Sequence, residues 1–447
     1  MGIVVHKIRV KKVKKTAGGE VSTLRVLNDD SSEYLRELTY RVLFGEDTIG
    51  KQDVLPPLTM SNELDVKLYA LFALLLKNFV FGWYSESLQL GGRAEFTKEL
   101  VYLFAHVCRA LQERAIVAQD ELVAVLIVDL PILVRKHLMR ISEVLSDPGV
   151  EEDEVEKVWL ERYGNGLGDE ETLGKYRRVI VHGIVRELFP QEVLNSRVSR
   201  EFVVSLIDGV ALRSVTESVC DNFTLWGIIG KLAEKLTKED EVKGNDTFLS
   251  KLHRVLEFFV IDSQYDVQAK NELLTFDHLI PLIEFVDYLT NCMKRFPLSM
   301  AFLHILGFAL MSFQIIKRFV NACLKRSVYE NILTVGNIGY SIDTLRHILF
   351  PLDDKFAPEP RYVPSTMDEI EIIRIRNEEK IRFFLQNSKL RKIFVDSNEG
   401  IEDIERKITT MIDAVKYRRI NTIFIQEVID LILCRLFPEL KGIKLYK

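Results

Sequence analysis

Phe296–Phe319 reads FPLSMAFLHILGFALMSFQIIKRF, and from Leu298 to Ile316 it carries no Asp, Glu, Lys or Arg. As a helix that charge-free run measures about 28 Å at 1.5 Å per residue, close to the ~30 Å of a bilayer's hydrocarbon core. Three structures compete for it: a membrane span, a core helix, or one wall of a site for an apolar ligand. Basic pairs flank both ends, Lys294-Arg295 before and Lys317-Arg318 after, so no positive-inside asymmetry orients it in a bilayer. The periodicity continues past Ile316. His304, Gly307, Met311, Gln314, Arg318, Asn321 and Lys325 step by three and four along one face. The opposite face carries Phe302, Ile305, Leu306, Ala309, Phe313, Ile316 and Val320. A narrow polar stripe beside a wide apolar face predicts one long amphipathic helix. A span has no use for that stripe, because His304 and Gln314 would each need a partner inside the bilayer.

The rest of the 447-residue chain fits a helical protein. Hydrophobic residues make up 47% and charged residues 28%, ordinary values for a globular chain. Only 23 Gly and 12 Pro punctuate it, fewer turn formers than average, and the segments between them are long and apolar-periodic. A net charge of −5 gives no global case for a nucleic-acid partner. Cys108, Cys220, Cys292, Cys323 and Cys434 are widely spaced and form no Cys-x-x-Cys pair, so they read as reduced core thiols. The N-terminus has no apolar h-region, and no secretory signal is expected. His6 stands where a myristoylation signal wants Ser or Thr.

The first residues differ in kind. Lys7, Arg9, Lys11, Lys12, Lys14 and Lys15 are packed around Ile8, Val10 and Val13. Such a run gains about 1 kcal/mol per Lys or Arg near anionic lipid, and these six are the candidate membrane-surface residues. A solvated arm or an edge strand is the plainer alternative. Pro56-Pro57 then mark a boundary. Ser61 or Asn62 can cap the next helix, whose charge-free part, Leu68–Leu76, is too short to span a bilayer. Phe79, Phe81, Trp83 and Tyr84 cluster where it ends. Pro131, inside an apolar-periodic run, should kink a helix or begin one. Ser146–Lys175 is acidic and Gly-rich and reads as a surface loop. Gly164, Gly166 and Gly168 do not make a phosphate cradle, since no strand precedes them and acids surround them. Gly168–Lys175 fails as a P-loop because Tyr176 stands where Ser or Thr must reach Mg²⁺. Near the other end, Thr366-Met367-Asp368-Glu369 has the spacing of a capping box. The last helix, Asn421–Phe437, shows apolar residues on nearly all sides and should be deeply buried.

Four stretches carry a family resemblance: NFVFGWYSESL at Asn78–Leu88, DLPILVRKH at Asp129–His137, LFPQEVLNSRVSREFVVSLI at Leu188–Ile207 and DNFTLWGII at Asp221–Ile229. On these, residues 55–231 resemble a PXA domain, the helical module of the RGS-type sorting nexins. The Pro-rich loop FPLDDKFAPEPRYVP at Phe350–Pro364, the helix after it, and NTIFIQEVIDLILCRLFPEL at Asn421–Leu440 resemble the nexin-C domain of the same family. The segment between the two modules is too short for the RGS and PX domains of full-length members, and it reads as helix. Phosphoinositide binding through PX and G-protein chemistry through RGS are therefore not implied. The chain is similar to the short, soluble fungal form associated with nucleus–vacuole junctions.

The expected architecture is all-α: a basic arm and lead-in at 1–45, a PXA-like domain at 46–236, connecting helices at 237–330 and a nexin-C-like domain at 331–447. The resemblance implies that the two modules pack into one helical body around a hydrophobic groove or tunnel. The apolar face Phe302, Ile305, Leu306, Ala309, Phe313, Ile316 and Val320, joined by Phe79 and Trp83, would line it. Each buried CH₂ of an acyl chain gains about 0.8 kcal/mol, so such a tunnel could hold a phospholipid or fatty acid without polar chemistry. The eight histidines form no HExxH, no Gly-x-Ser-x-Gly elbow exists, and no metal-ligand spacing occurs. His137 and His304 read as core or cap residues, and neither an enzyme nor a cofactor is expected. The functional expectation is lipid binding or transfer at contacts of the endoplasmic reticulum or nuclear envelope with the vacuole. The partners would be membrane lipid and a membrane-anchored family member that recruits the protein peripherally from the cytoplasm. The alternative is an interaction scaffold or tether with a solid core.

Overall fold

The computed structural model describes residues 31–45, 55–81, 93–164, 166–242, 280–290, 297–298, 301, 305, 312, 326, 328–350, 364, 366–387, 406 and 408–442. Every regular element among them is helical, as the spacing predicts. In chain order the helices are α1 (Ser32–Phe44), α2 (Asn62–Leu76), α3 (Arg93–Val117), α4 (Gln119–Ala124), α5 (Leu130–Leu145), α6 (Val155–Tyr163), α7 (Glu170–Leu188) and α8 (Gln191–Asn195). They continue with α9 (Arg197–Leu206), α10 (Val215–Val219), α11 (Asn222–Val242), α12 (Ile280–Thr290), α13 (Val335–Leu349), α14 (Met367–Asn387) and α15 (Arg418–Leu436). No helix among the described residues is long and apolar enough to cross a membrane.

Local chemistry sets the helix ends. Ser61 caps α2 by accepting a bond from the Leu64 N–H at 3.4 Å. Ser31, Ser196 and Thr334 do the same for α1, α9 and α13. At α14 the capping box is reciprocal: Thr366 N–H donates to Glu369 Oε2 at 3.2 Å, and Glu369 N–H donates to Thr366 Oγ1 at 3.3 Å. That satisfies two of the donors a helix start leaves open. Gly45 ends α1 at φ 86°, a conformation that favours glycine. Pro131 is the second residue of α5, inside a run that stays helical from Gln119 through Leu145. Just before it, Val125–Asp129 winds as a π turn, with the Leu130 N–H bonded to the Val125 carbonyl. The wider turn accommodates a residue that has no N–H to offer.

The described residues fall into two compact units, each discontinuous in sequence. Unit 1 draws on Met1–Ile116, Arg178–Val215 and Ile332–Val363; unit 2 draws on Val117–Arg177, Thr216–Asn331 and Pro364–Lys447. The segments 46–236 and 331–447 each contribute to both units, so division by chain order and division by packing are different partitions.

In unit 1, α1 and α13 both pack on α2. Tyr69, Ala73, Leu76, Val80 and Phe81 of the α2 region meet Leu100, Val101 and Ala105 of α3 in one apolar cluster. The rings of Phe72 and Phe104 stack at 4.0 Å. The diproline segment is tied down by the buried Asp65 carboxylate, which accepts from the Leu58 N–H at 3.1 Å and from the Thr59 N–H at 2.7 Å. Tyr69 O–H donates to the Pro56 carbonyl at 2.6 Å. Val181 and Val185 of α7 pack with Val203 and Val204 of α9.

In unit 2, α11 lies along α14, and α5, α6 and α15 share a second core containing Leu138, Ile141, Val155, Trp159, Ile420 and Ile423. Two expectations are corrected here. The acidic stretch Ser146–Lys175 is not merely a loop: it contains α6, and Trp159 is only 1% exposed. The charges flanking Val155, Val158 and Trp159 mask their helical spacing in the sequence. Deep burial of the last helix is correct for its first half, where Ile420, Asn421, Ile423 and Gln426 are buried. No residue from Glu427 to Leu436 is buried, and Ile432 is exposed.

Candidate functional site

Most of the expected lipid-facing residues, namely Phe302, Leu306, Ala309, Phe313, Ile316, Val320 and Trp83, lie outside the described residues. So do the membrane-surface residues Lys7, Arg9, Lys11, Lys12, Lys14 and Lys15. Of the opening stretch, residues 297–298, 301 and 305 are helical, and Ile305 is 69% exposed. Phe79 lies in the π turn Lys77–Phe81 that ends α2. It is 36% exposed and stands edge-on to Phe350 at 6.3 Å, while its neighbours Val80 and Phe81 are buried. The structure thus brings Phe79 to Phe350, a ring 271 positions further along the chain, within unit 1.

Unit 1 offers a small cavity of about 50 Å³ beside Thr39, Tyr40, Asp65 and Tyr69. That is room for one or two waters, not for a lipid. Burial and the Asp65 carboxylate raise the Tyr69 phenol, and burial pushes the Cys108 thiol up to about 12. Both groups stay protonated and unreactive at neutral pH.

Unit 2 holds the larger opening, a cleft of about 580 Å³, within the ~300–1,000 Å³ usual for small-ligand sites. Four chain segments far apart in sequence form it: the end of α5 with the turn after it, the start of α11, the first two turns of α14, and residues 413–417. Glu152, Asp368, Glu371 and Asp413 face Arg374 and Lys416 across it. Arg374 contacts Glu371 at 2.7 Å and Asp413 at 2.9 Å, and Glu378 lies 3.9 Å away. Lys416 pairs with Glu152, whose carboxyl it holds below the usual range. Trp226 forms part of the wall, fixed by its Nε1–H bond to the Ile412 carbonyl at 2.9 Å. Sequence reasoning missed all of these residues. Their only local signal is the Glu371–Arg374–Glu378 spacing on α14, which any exposed helix can show.

A polar network runs along α15. Tyr176 O–H donates to Asp430 Oδ2 at 2.6 Å, and Gln426 Nε2–H donates to Asp430 Oδ1 at 2.9 Å. Partial burial nevertheless raises the Asp430 and Glu427 carboxyls above their usual range. Arg435 reaches Asp129 at 2.8 Å. His137, 7% exposed, lies between Phe424 at 4.3 Å and Trp159 at 5.8 Å. Burial, helped by the Arg140 charge, lowers its pKa from 6.5 to about 4. His137 is thus a neutral core histidine in an aromatic cage, as its sequence context suggests.

No curated protein and no solved structure matches the chain. The family model for the PXA domain matches residues 61–232, less than half of the chain. All four motifs quoted from Asn78 to Ile229 fall inside that match, so over this stretch the chain is similar to the PXA domain.

Proposed function

We propose that the protein is a non-enzymatic lipid-binding or lipid-transfer protein of the sorting-nexin type. It would act peripherally at contacts of the endoplasmic reticulum or nuclear envelope with the vacuole. The observation that carries this proposal is the PXA match at residues 61–232. The nexin-C-like motifs at Phe350–Pro364 and Asn421–Leu440 and the wide apolar face at Phe302–Val320 support it from the sequence. Six cations between Lys7 and Lys15 would add affinity for an anionic surface, and a membrane-anchored family member would supply the address. A bound phospholipid or fatty acid would be cargo, held by apolar contact.

The test is native mass spectrometry with lipid extraction on protein purified without detergent from its own cells. A stoichiometric glycerolipid or fatty acid is expected, and its loss in Leu306→Asp/Phe313→Asp would locate it. A lipid-free mass would favour the second reading, a scaffold or tether. The closed apolar clusters of both units lend that alternative its support, since a scaffold packs to native density.

A further inference from the structure

We propose that the outward face of α14 pairs two copies of this chain, antiparallel and about a two-fold axis. α14 turns Ile370, Asn377 and Ile381 inward, against α11 and its core. The opposite face carries Ile372, Arg376, Glu379 and Phe383, spaced by four, three and four, with Ile375 beside them. That is the seam spacing of a two-helix pair. All five are exposed, Ile372 to 56%, Ile375 to 48% and Phe383 to 55%. Single exposed apolar side chains are ordinary, but three along one face of one helix form a patch of the kind that partners cover. The charges on the same face say which partner. Elsewhere on α14 the ions pair within the chain: Arg374 with Glu371 at 2.7 Å and Asp413 at 2.9 Å, Arg382 with Glu378 at 2.6 Å, and Lys380 with Glu234 at 3.5 Å. Among the described residues Arg376 and Glu379 have no such pairing.

A second copy laid antiparallel, with the two-fold axis between Asn377 and Glu378, satisfies the whole face at once. Arg376 then meets the partner's Glu379, Glu379 meets the partner's Arg376, and Ile372 meets the partner's Phe383. This is the self-complementarity that an isologous interface requires. A parallel pair would set Arg376 against the partner's Arg376, and like charges reject it. An anionic bilayer fits the face poorly, because Asp368, Glu371 and Glu379 are exposed on or beside it and Arg376 alone opposes them. From Ile372 to Phe383 the seam is about 17 Å long at 1.5 Å per residue. One helix pair of that length covers less than the ~1,200–2,000 Å² of a stable interface, so the dimer is weak, with a Kd of roughly 10–100 μM. The pairing does not rest on the lipid reading.

Sedimentation equilibrium on the full chain, from about 1 μM to about 300 μM, tests it. A monomer that gives way to a dimer over that range is expected. Arg376→Glu and Glu379→Arg should each weaken the dimer about tenfold or more, because each sets like charges opposite one another twice. Mixing the two variants in equal amounts should restore the dimer, as should both changes in one chain, since either arrangement again opposes unlike charges. A role confined to one chain would not give rescue between two chains. Ile372→Ser/Phe383→Ser should weaken the dimer with the charges intact. Should one single variant fail to fold by circular dichroism, the doubly charge-reversed chain compared with the other single variant decides. A chain that stays monomeric throughout, a dimer indifferent to Arg376→Glu and Glu379→Arg, or a mixture that stays monomeric overturns the proposal. So does a monomeric chain whose binding to anionic vesicles is abolished by Ile372→Ser/Phe383→Ser, which would give the face to a membrane.

Discussion

The two units use polar chemistry in opposite ways. Unit 1 buries apolar clusters and holds a deeply buried ion pair, where Lys67 Nζ meets Asp343 Oδ2 at 2.6 Å with side chains only 15% and 8% exposed. Arg346, 2% exposed, lies beside the same carboxylate at 4.0 Å. Unit 2 distributes its polar contacts over many half-buried links. Tyr176 meets Asp430, Arg435 meets Asp129, Asn421 spans the carbonyls of Cys220 and Val415, and Arg374 meets Asp413. A buried charge is expensive to orphan, whereas a half-exposed link can be replaced by water at small cost. Loss of this buried pair in unit 1 should therefore cost more than loss of any one half-exposed link in unit 2.

The strongest test of that contrast is Asp343→Ala. It leaves Lys67 and Arg346 without their shared carboxylate and should cost roughly 3 kcal/mol, read from urea unfolding. A cost under about 1 kcal/mol would mean that water or another carboxylate substitutes, and the contrast would collapse.

His137 gives the counterpart in unit 2. Its folded pKa of about 4 lies below its ordinary 6.5, so the unfolded chain binds more protons between those values. The stability it contributes is present above pH 6.5 and is lost as pH falls toward 4, roughly 3 kcal/mol in all. Glu427 and Asp430 work against this, because their raised pKa values let the folded state take up protons first. The wild type should lose more stability on acidification than His137→Phe does, and equal losses would contradict a buried neutral imidazole.

Gly230→Ala probes the contact of α11 with α14. A Cβ there would come within 2.1 Å of Asn377 Oδ1 and 3.0 Å of Asn377 Cβ, so the helices must part or Asn377 must turn away. Overpacking of this kind costs about 1–3 kcal/mol, and Asn377→Ala should recover most of it in a double-mutant cycle.

How much of this was legible in the sequence differs by element. The helix starts at Ser61 and Thr366 and a local irregularity at Pro131 were readable, since capping and proline chemistry act within a few residues. The position of α6 was not, because its apolar spacing is short and its flanks are acidic. The cleft could not be read at all. Glu152, Asp368 and Asp413 meet only through chain reversals more than 40 residues apart, and no local pattern records them.

Tyr176→Phe should give the next smaller effect. It removes the 2.6 Å bond to Asp430 but leaves Gln426 in place, a loss of about 1–2 kcal/mol in thermal or urea unfolding. The smallest is Thr366→Ala, which removes half of the capping box. A cost of about 1 kcal/mol is expected, seen as faster amide exchange confined to the first turn of α14.

The sequence by itself determined the helical class, the principal caps, a core-or-cap place for His137 and a PXA likeness read at residues 55–231, which the family model matches at 61–232. Those depend on spacing and on contacts within a turn or two, which the chain specifies locally. The tertiary structure alone decided that unit 1 joins α2 to α13, that unit 2 joins α11 to α14, and that an acid-rich cleft opens beside Trp226. Those contacts depend on which apolar faces find each other once the helices exist, and hydrophobic burial is non-directional. It carries no signature of the partner in either helix's own sequence.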